Sequence, residues 1–440
     1  MRRFPHSDLR NRDYCDWREF LNKADRWSTS QIEEYQLSQI KRIVRHAYEN
    51  TPGYRELYAN AGLSPDSVRS LEDLRKFPTV TKEMIRDGLE SFSAPTRNRV
   101  YITTGGSTGI PFGFYRDSKS FAKELASKAH QYSRIGWKEG DPQLVLRGIP
   151  IKRKNAMQFY PRFNELRCSS YHLTAQWMEK YRVRALQYKP DWLRCYPSSG
   201  CIFASFLKDT GGTFPPLKGI LCASENLYAF QRQFLSQVFK ARVFSHYGHY
   251  EMAVLAGFCE SEDTYHILPQ YGFAELLDEK GNVVTTPGEL GEIVGTSFVM
   301  YATPFVRYKT RDYAVFKGWG CSGCKRPYQL WERIEGRLQE FILTGRGRPI
   351  SMTAMNMHDD VFDDLRQFQF YQRSRGELYF RFIPKETCKP ESLQTMQNRL
   401  QSKLGDDVTL RFQKVADIPP TQRGKHRFLI QELALNFGDA

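Results

Sequence analysis

The sequence predicts an α/β protein carrying a smaller α+β domain at its C-terminal end, and three observations lead there. Strand-like runs alternate with helical stretches through the middle of the chain, the mark of a sheet covered by crossover helices. Residues 272–316 hold short strands separated by turn signals, which suggests a small β subdomain. After about residue 338 a hairpin-like start is followed by helix, strand, helix and strand, so 1–338 is read as one domain and 339–440 as another of a usual domain size.

Taken in order, residues 14–50 read as helix, because Ile32, Tyr35, Leu37, Ile40, Ile43 and Val44 recur at helical spacing among charges. Residues 71–90 read as a second helical stretch, broken at Pro78 before Thr81-Lys82-Glu83. Arg99 to Thr104 is strand-like, a Gly/Ser/Thr-rich turn follows, and strand character resumes at Phe112-Gly-Phe-Tyr115. Residues 118–135 are helical again. Gln143–Leu146, Gly219–Cys222, Arg242–Phe244 and Phe273–Leu277 read as further strands, with a helix over Tyr228–Phe239 among them. Asp278-Glu-Lys-Gly281 and Thr286-Pro-Gly288 are turns, and Phe341-Ile-Leu343, Gly345 and Arg348-Pro-Ile350 open the last domain. No internal repeat or low-complexity tract interrupts the pattern.

Composition narrows the function classes. With 40% hydrophobic and 26% charged residues, the 440-residue chain can bury a sizeable core and is not a disordered polymer. Nine cysteines are too sparse for a disulfide scaffold. The net charge of +15 is spread along the chain, with only Lys152-Arg153-Lys154 and Arg346-Gly347-Arg348 as short clusters. That distribution fits solubility and anionic-ligand binding better than a nucleic-acid surface. The N-terminal text Met1-Arg-Arg-Phe-Pro-His6 lacks the apolar core of a signal peptide, and no run approaches the ~18 apolar residues of a membrane span. A cytoplasmic protein is expected, with reduced cysteines whose close pairs are read as metal ligands first.

The chemistry-bearing text begins at Thr103-Thr-Gly-Gly-Ser-Thr-Gly-Ile-Pro111, between two strand-like runs. Glycines let backbone approach a ligand, and exposed N–H groups with the Ser107 and Thr108 hydroxyls can hold phosphate oxygens. This is not the P-loop of ordinary NTPases, which requires Gly-Lys-[Ser/Thr] and a following helix. A flexible hairpin carries the same residue types, so the turn alone does not decide. Further segments follow in a definite order: Ser224-Glu225 after Ile220-Leu-Cys-Ala223; Tyr247-Gly-His-Tyr-Glu251 after Val243-Phe244; Phe305-Val-Arg-Tyr-Lys-Thr-Arg-Asp312; Gly336-Arg337; and Pro420-Thr-Gln-Arg-Gly-Lys425.

This ordered series resembles the adenylate-forming superfamily of acyl-CoA synthetases, luciferases and peptide-synthetase adenylation domains. Within it, His46-Ala-Tyr-Glu-Asn-Thr-Pro-Gly-Tyr-Arg55, Leu71-Glu-Asp-Leu74 and Pro78-Thr-Val-Thr-Lys82 resemble phenylacetate-CoA ligases and, more closely, the capsule-biosynthesis branch called CapK. The resemblance covers essentially the whole chain. It implies ATP-dependent activation of a small carboxylic acid to an acyl-adenylate, with release of pyrophosphate. Such a reaction places negative charge on phosphoryl oxygens, so it needs cations and N–H donors rather than covalent catalysis.

By the same resemblance, Thr104, Gly106, Ser107, Thr108 and Gly109 hold the β- and γ-phosphates. Ser224 and Glu225 line the adenine pocket. Tyr247, followed by Gly248, stacks on adenine, and Asp312 accepts hydrogen bonds from the ribose hydroxyls. Arg337 lies near ribose and phosphates. Glu251 ligates Mg²⁺, Lys425 bridges the attacking carboxylate and the α-phosphate, and Thr108 joins these two as catalytic. Singly, Asp312 would read as a turn carboxylate, Glu251 as a helix-start carboxylate and Lys425 as a solvated lysine; order and spacing reverse that. The sequence departs from the family text at Ile110, where Lys is usual, at Tyr250, where Thr is usual, at Arg311, where Gly is usual, and at Gln339, the hinge position, where Asp or Lys is usual. The family's C-terminal domain is a mobile lid that rotates about that hinge and withdraws Lys425.

Cys321-Ser-Gly-Cys324 has zinc-knuckle spacing, and Cys259 with His266 offers a second pair. Three thiolates and one imidazole complete a tetrahedral set, similar to the structural zinc of some phenylacetate-CoA ligase relatives. A redox Cys-x-x-Cys and four unrelated reduced side chains are the other readings. His246 and His249 flank Tyr247 and read as shaping the carboxylate pocket or packing. Cys195, Cys201 and Cys222 read as core, as do Tyr196 and Phe203, which are also candidates for lining the acyl pocket.

The expected activity is therefore acyl-adenylate formation with ATP and Mg²⁺, then transfer to a thiol of CoA or a carrier protein. Transfer to an amine or amino sugar in surface polysaccharide synthesis is an alternative. A non-catalytic nucleotide-binding scaffold is the rival of another class. No nucleic-acid partner and no membrane span are expected, and the oligomeric state is open, a dimer included.

Overall fold

In the computed structural model the described residues are 11–104, 112–148, 156–170, 172–224, 227, 229–334, 341–347, 349–351, 364–384, 386, 388–418 and 429–433. The expected single helix over 14–50 is two helices, Arg12–Ala24 and Thr29–Asn50. The break has a local cause. Ser28 leaves helical geometry and caps the second helix, accepting the Gln31 N–H while the Gln31 side chain returns to the Ser28 N–H. Pro52 then opens a third helix, Pro52–Asn60, at the position where a missing N–H costs nothing. The expected helical stretch over 71–90 is shorter than read. It consists of a tight turn at Glu72–Lys76 and one short helix, Lys82–Asp87, whose first turn is capped by Thr81.

The chain forms two units. The first draws on residues 1–102, 113–139 and 244–337, the second on 103–112, 140–243 and 338–440. In the first unit the strands hydrogen-bond in the order Gly272–Leu277, Leu290–Ser297, Tyr308–Trp319, Gln329–Ile334, Tyr265–Ile267, Leu255–Gly257, Val243–Gly248, every pairing antiparallel. The β-rich text of 272–316 is thus continuous with strands on both sides of it in sequence. The strand read at Arg242–Phe244 extends to Gly248. Helix Ser118–Ser133 packs Ala122, Ala126 and Ala129 against Tyr14 of the first helix, and the Trp17 indole N–H donates to Ser127 Oγ at 2.9 Å.

One buried ion pair organises the edge of this sheet. Arg307 adopts φ +46° and donates from Nε and Nη2 to the two Glu275 carboxylate oxygens, both at 2.9 Å. Its Nη1 donates to the carbonyls of Arg75 at 2.8 Å and Phe77 at 2.6 Å. The segment so held adds to the strand edge: the Val80 N–H donates to the Arg307 carbonyl, and the Lys309 N–H to the Val80 carbonyl. Thr81 and Lys82 follow directly.

In the second unit the order is Gly219–Ala223, Trp192–Cys195, Gln143–Arg147, Glu165–Ser169, Met157–Tyr160, parallel except for the last pairing. Helices Ala175–Tyr188, Pro197–Asp209 and Ala229–Phe239 connect or follow the strands. Leu144, Leu146, Tyr181, Phe203, Leu235 and Phe239 are among its core, and Gly219–Ala223, buried at every position, carries an unbroken apolar run. Residues 341–433 contribute a hairpin, Phe341–Leu343 with Pro349–Ser351, and a mixed sheet ordered Thr409–Lys414, Glu377–Pro384, Leu365–Ser374, Leu429–Gln431. Helix Pro390–Leu404 packs Met396, Leu400 and Leu404 on Phe368, Phe370 and Phe380 of that sheet, the expected α+β character.

Removing one partner of the Arg307–Glu275 pair leaves a buried charge and two buried carbonyls without donors. Arg307→Met is expected to lower the unfolding free energy by about 3–5 kcal/mol, read by denaturant titration. Adding Glu275→Leu to it is expected to restore part of that loss. A single variant as stable as wild type would remove the pair from this role.

Candidate active site and metal centre

The strand Val243–Gly248 delivers Tyr247 at its end, and a turn closed by the Met252 N–H on the His249 carbonyl brings Glu251 back beneath it. Tyr247 Oη donates to Asp312 Oδ2 at 2.9 Å. Asp312 is held in turn by its N–H on Thr310 Oγ1 at 3.1 Å. Arg311, where the family text has Gly, takes φ +65°. The left-handed turn that favours glycine is therefore kept, and Arg311 Nη2 donates to Glu83 Oε2 at 2.6 Å.

Glu251 is buried, with partners on both oxygens. Oε1 accepts from Tyr308 Oη at 3.0 Å and lies 3.6 Å from Lys82 Nζ. Oε2 lies 3.2 Å from His249 Nδ1. His249 Nε2 faces the Val254 N–H at 3.3 Å and must accept from it, so the ring proton sits on Nδ1 and is donated to Glu251. Burial pushes the Glu251 carboxyl up. The Lys82 ammonium and the His249 hydrogen bond outweigh it and hold the group well below the usual carboxylate range. The result is a buried carboxylate that stays anionic, an oxygen donor of the kind a hard cation takes.

Of the residues expected from sequence, Tyr247 and Asp312 are bonded to each other, and Glu251 is linked to them through His249, whose ring centre is 5.8 Å from that of Tyr247; Gly248 ends the Tyr247 strand opposite Leu255. Thr104 ends the strand Val100–Thr104. Ser224 belongs to the second unit, at φ +71°, and accepts from Arg147 Nη2 at 2.6 Å. Gly106, Ser107, Thr108, Gly109, Ile110, Glu225, Arg337, Gln339 and Lys425 lie outside the described residues. His246 and His249 do not form a metal pair: His246 Nδ1 meets Tyr132 Oη at 2.7 Å, while His249 serves Glu251. Cys195 and Cys222 are buried, as expected of core residues, and Cys201 is half-buried. Sequence reasoning gave no site role to Lys82 or Tyr308. A lysine with 6% of its surface exposed is rare enough to mark a site, but its burial is not written in the text around it.

Cys259, His266, Cys321 and Cys324 converge, all buried, with their ligand atoms within 4.8 Å of one another. Cys259 Sγ and Cys321 Sγ are 4.0 Å apart, and Cys324 Sγ is 3.5 Å from His266 Nε2. Tetrahedral zinc with Zn–S near 2.3 Å requires sulfur separations of about 3.8 Å. His266 Nδ1 donates to the Thr264 carbonyl at 2.8 Å, which leaves Nε2 as the ligand nitrogen. The Ser261 and Glu262 N–H groups point at Cys259 Sγ, and the Cys324 N–H at Cys321 Sγ. The three thiols pull against one another: the Cys259 hydrogen bond draws the Cys324 thiol down, while Cys324 and burial push Cys259 up and burial pushes Cys321 up, so a cation among them is what would let all three ionise. The residues fit a zinc ion.

The knuckle is tied to the N-terminal helices. Arg26 Nη1 donates to the Cys324 carbonyl at 2.7 Å. Asp25, in the break between the first two helices, accepts from His130 Nε2 at 3.0 Å, Arg134 Nη2 at 2.7 Å and Arg326 Nη2 at 2.8 Å. Burial opposes ionisation of Asp25, and these three donors hold it far below the ordinary value nonetheless. Arg326 also reaches both Glu260 oxygens at 2.9 Å.

The family model described as the CapK C-terminal domain matches residues 342–432. A phenylacetate-coenzyme A ligase of Pseudomonas putida is 27% identical over 338 residues, covering 74% of this chain and 75% of its own. Protein CapK of Staphylococcus aureus is 23% identical over 412 residues, covering 91% and 89%. Among solved structures, a 2-hydroxyisobutyryl-CoA ligase in complex with 2-HIB-AMP and CoA, in its thioesterification state, is similar with a TM-score of 0.60 at 18% identity, covering 92% of this chain and 90% of that one. At that identity the likeness is one of fold.

Because the folded-state Glu251 carboxyl is depressed, its stabilising effect is present above the unfolded value and lost as pH falls toward the folded one. The stability gap between wild type and Glu251→Gln is expected to be widest near pH 7. It should close as pH drops below about 4, followed by denaturant unfolding at stepped pH. A gap that does not vary with pH would mean that Glu251 is not held anionic.

Proposed function

We propose, from its similarity to phenylacetate-CoA ligases and CapK, that the chain is an adenylate-forming enzyme that activates a small carboxylic acid with ATP and passes the acyl group to the thiol of CoA. The observation that carries the proposal is the convergence of three motif residues: Tyr247 bonded to Asp312 beside a buried, ionised Glu251.

Each side chain has a task in that reading. The Tyr247 ring offers a face to adenine, and its hydroxyl steadies the carboxylate of Asp312, which accepts from the ribose hydroxyls. Glu251 would hold Mg²⁺, whose chemistry when bound is to neutralise charge on phosphate oxygens. Lys82 and His249 fix the Glu251 carboxylate, so it needs little reorganisation on meeting the nucleotide. Ser224 and Glu225 border the adenine. Thr104, Gly106, Ser107, Thr108 and Gly109 hold the outer phosphates. Ile110 supplies no cation to them, and Lys82 is a buried cation already beside Glu251. Arg337 and Lys425 carry positive charge to the ribose and to the α-phosphate, where the acid oxygen attacks and pyrophosphate leaves. Residues 339–440 act as the lid, turning about Gln339 to exchange Lys425 for an acceptor site.

CoA as the acceptor is favoured by the relatives named as CoA ligases. A carrier-protein thiol, an amine or amino sugar, and a scaffold without catalysis find no such support. Cys259, His266, Cys321 and Cys324 would hold a structural zinc, since four protein ligands leave no open position. No helix among the described residues is long and apolar enough to cross a membrane.

Acid-dependent ATP–pyrophosphate exchange over a panel of aryl, fatty and hydroxy acids is the direct test. One acid is expected to support exchange, Lys425→Ala to abolish it, and Asp312→Ala to raise the ATP requirement at least tenfold. ATP binding without exchange for any acid would sink the adenylation reading. Metal analysis is expected to find about one zinc per chain, lost in the Cys321→Ser, Cys324→Ser double variant with a lowered melting temperature. A wild-type protein free of zinc would remove the metal assignment.

A further inference from the structure

The parallel strands of the second unit have a topological switch point. From Gln143–Arg147 the chain runs to Glu165–Ser169 on one side. It then crosses through helix Ala175–Tyr188 to Trp192–Cys195 on the other side, and continues outward through helix Pro197–Asp209 to Gly219–Ala223. Connections therefore leave Gln143–Arg147 and Trp192–Cys195 in opposite directions. In open α/β sheets the crevice outside the carboxyl ends of two such strands is where ligands bind.

The side chains at that point are specific. The pairings Leu146 with Cys195 and Cys195 with Cys222 put Arg147, Tyr196 and Ala223 level at the carboxyl edge, with Ser224 next. The Arg147 guanidinium lies 4.9 Å from the centre of the Tyr196 ring and donates from Nη2 to Ser224 Oγ at 2.6 Å. Its Nε is buried and has no hydrogen-bond partner among the described residues. No carboxylate among those residues pairs with it, although a partly desolvated cation without an anion is costly. Helix Pro197–Asp209 begins at the same edge with no side-chain cap, so the positive end of its dipole adds to the same field. An aromatic platform, a planar cation with donor capacity to spare and a hydroxyl form an anion receptor.

We propose that Arg147, Tyr196 and Ser224 bind an oxyanion of a reactant: a carboxylate of the acid other than the one activated, or a phosphate of ATP or CoA. The proposal rests on the acyl-activation reading and deepens it, because it adds to the motif residues a charged group that selects among reactants. Arg147 fixes the anion through its guanidinium, Tyr196 holds the guanidinium flat, and Ser224 orients it.

Calorimetric titration of the full chain separates the sources. The probes are ATP, CoA against dephospho-CoA, and succinate against butyrate, the two acids in the presence of a non-hydrolysable ATP analogue. In Arg147→Met one probe is expected to bind about tenfold more weakly. Loss of the succinate-over-butyrate preference assigns the site to the acid, loss of the CoA-over-dephospho-CoA preference assigns it to the coenzyme, and weaker ATP alone assigns it to the nucleotide. Arg147→Gln, which can still reach Ser224, carries the same expectation and serves if the Met variant does not fold. Wild-type affinity for every probe in a variant with the wild-type melting temperature would overturn the proposal. Because binding is read without turnover, a weakened probe in a protein that shows no pyrophosphate exchange would keep the anion site and remove the adenylation reading. Exchange with unaltered binding would do the reverse.

Discussion

The Arg307–Glu275 pair pins the segment 75–82 to the sheet, beside the backbone bridge that Val80 makes with Arg307 and Lys309. Arg307 spends one edge of its guanidinium on a buried carboxylate and its remaining nitrogen on the carbonyls of Arg75 and Phe77. In doing so it turns a polar, irregular segment into a length of chain that can lie in the interior with its backbone satisfied. The next residue in the sheet is Tyr308, and a few residues along the pinned segment comes Lys82. Both touch Glu251. The ion pair acts on the site at one remove, by fixing where its two strongest donors begin.

Around Glu251 the chemistry is a balance of opposed terms. Burial alone would protonate the carboxyl. A cation at 3.6 Å and a histidine N–H at 3.2 Å reverse that. The histidine donates because its other nitrogen is committed to the Val254 amide, so a backbone group two residues beyond the turn selects the tautomer that faces the site. Held on both oxygens and ionised, the carboxylate is fixed in place by the fold alone.

Much of this was legible in the sequence. Helical spacing from Ile32 to Val44 gave the long second helix, and the apolar run at Gly219–Ala223 gave a buried strand. The ordered motifs gave Tyr247, Glu251 and Asp312, and cysteine spacing gave all four members of the knuckle. The losses have a common physical cause, dependence on distant partners. The break before Thr29 was written locally, in the Ser28–Gln31 capping box, but the role of Asp25 beside it was not, because its donors His130, Arg134 and Arg326 lie more than a hundred residues away. Lys82 stood in the text as part of a turn signal, and nothing near it announced that a sheet would cover it. The strands Met157–Tyr160 and Trp192–Cys195 were too short for a period to register. Arg147 looked like one basic residue among 64 Lys and Arg, and only strand order gives its position meaning.

The Asp25 cluster also bears on how the protein is made. Asp25 and Arg326 are 301 residues apart in sequence, yet they are direct partners, and the knuckle they flank needs Cys321 and Cys324. During synthesis the first two helices leave the ribosome long before the arginine that anchors them exists. Closing so large a loop carries an entropy cost that local contacts cannot offset. The first unit, assembled from three separate stretches of chain, therefore completes only after residue 337 has emerged. Until then Asp25 has His130 and Arg134 but lacks its third donor, and truncation anywhere before the knuckle leaves it so.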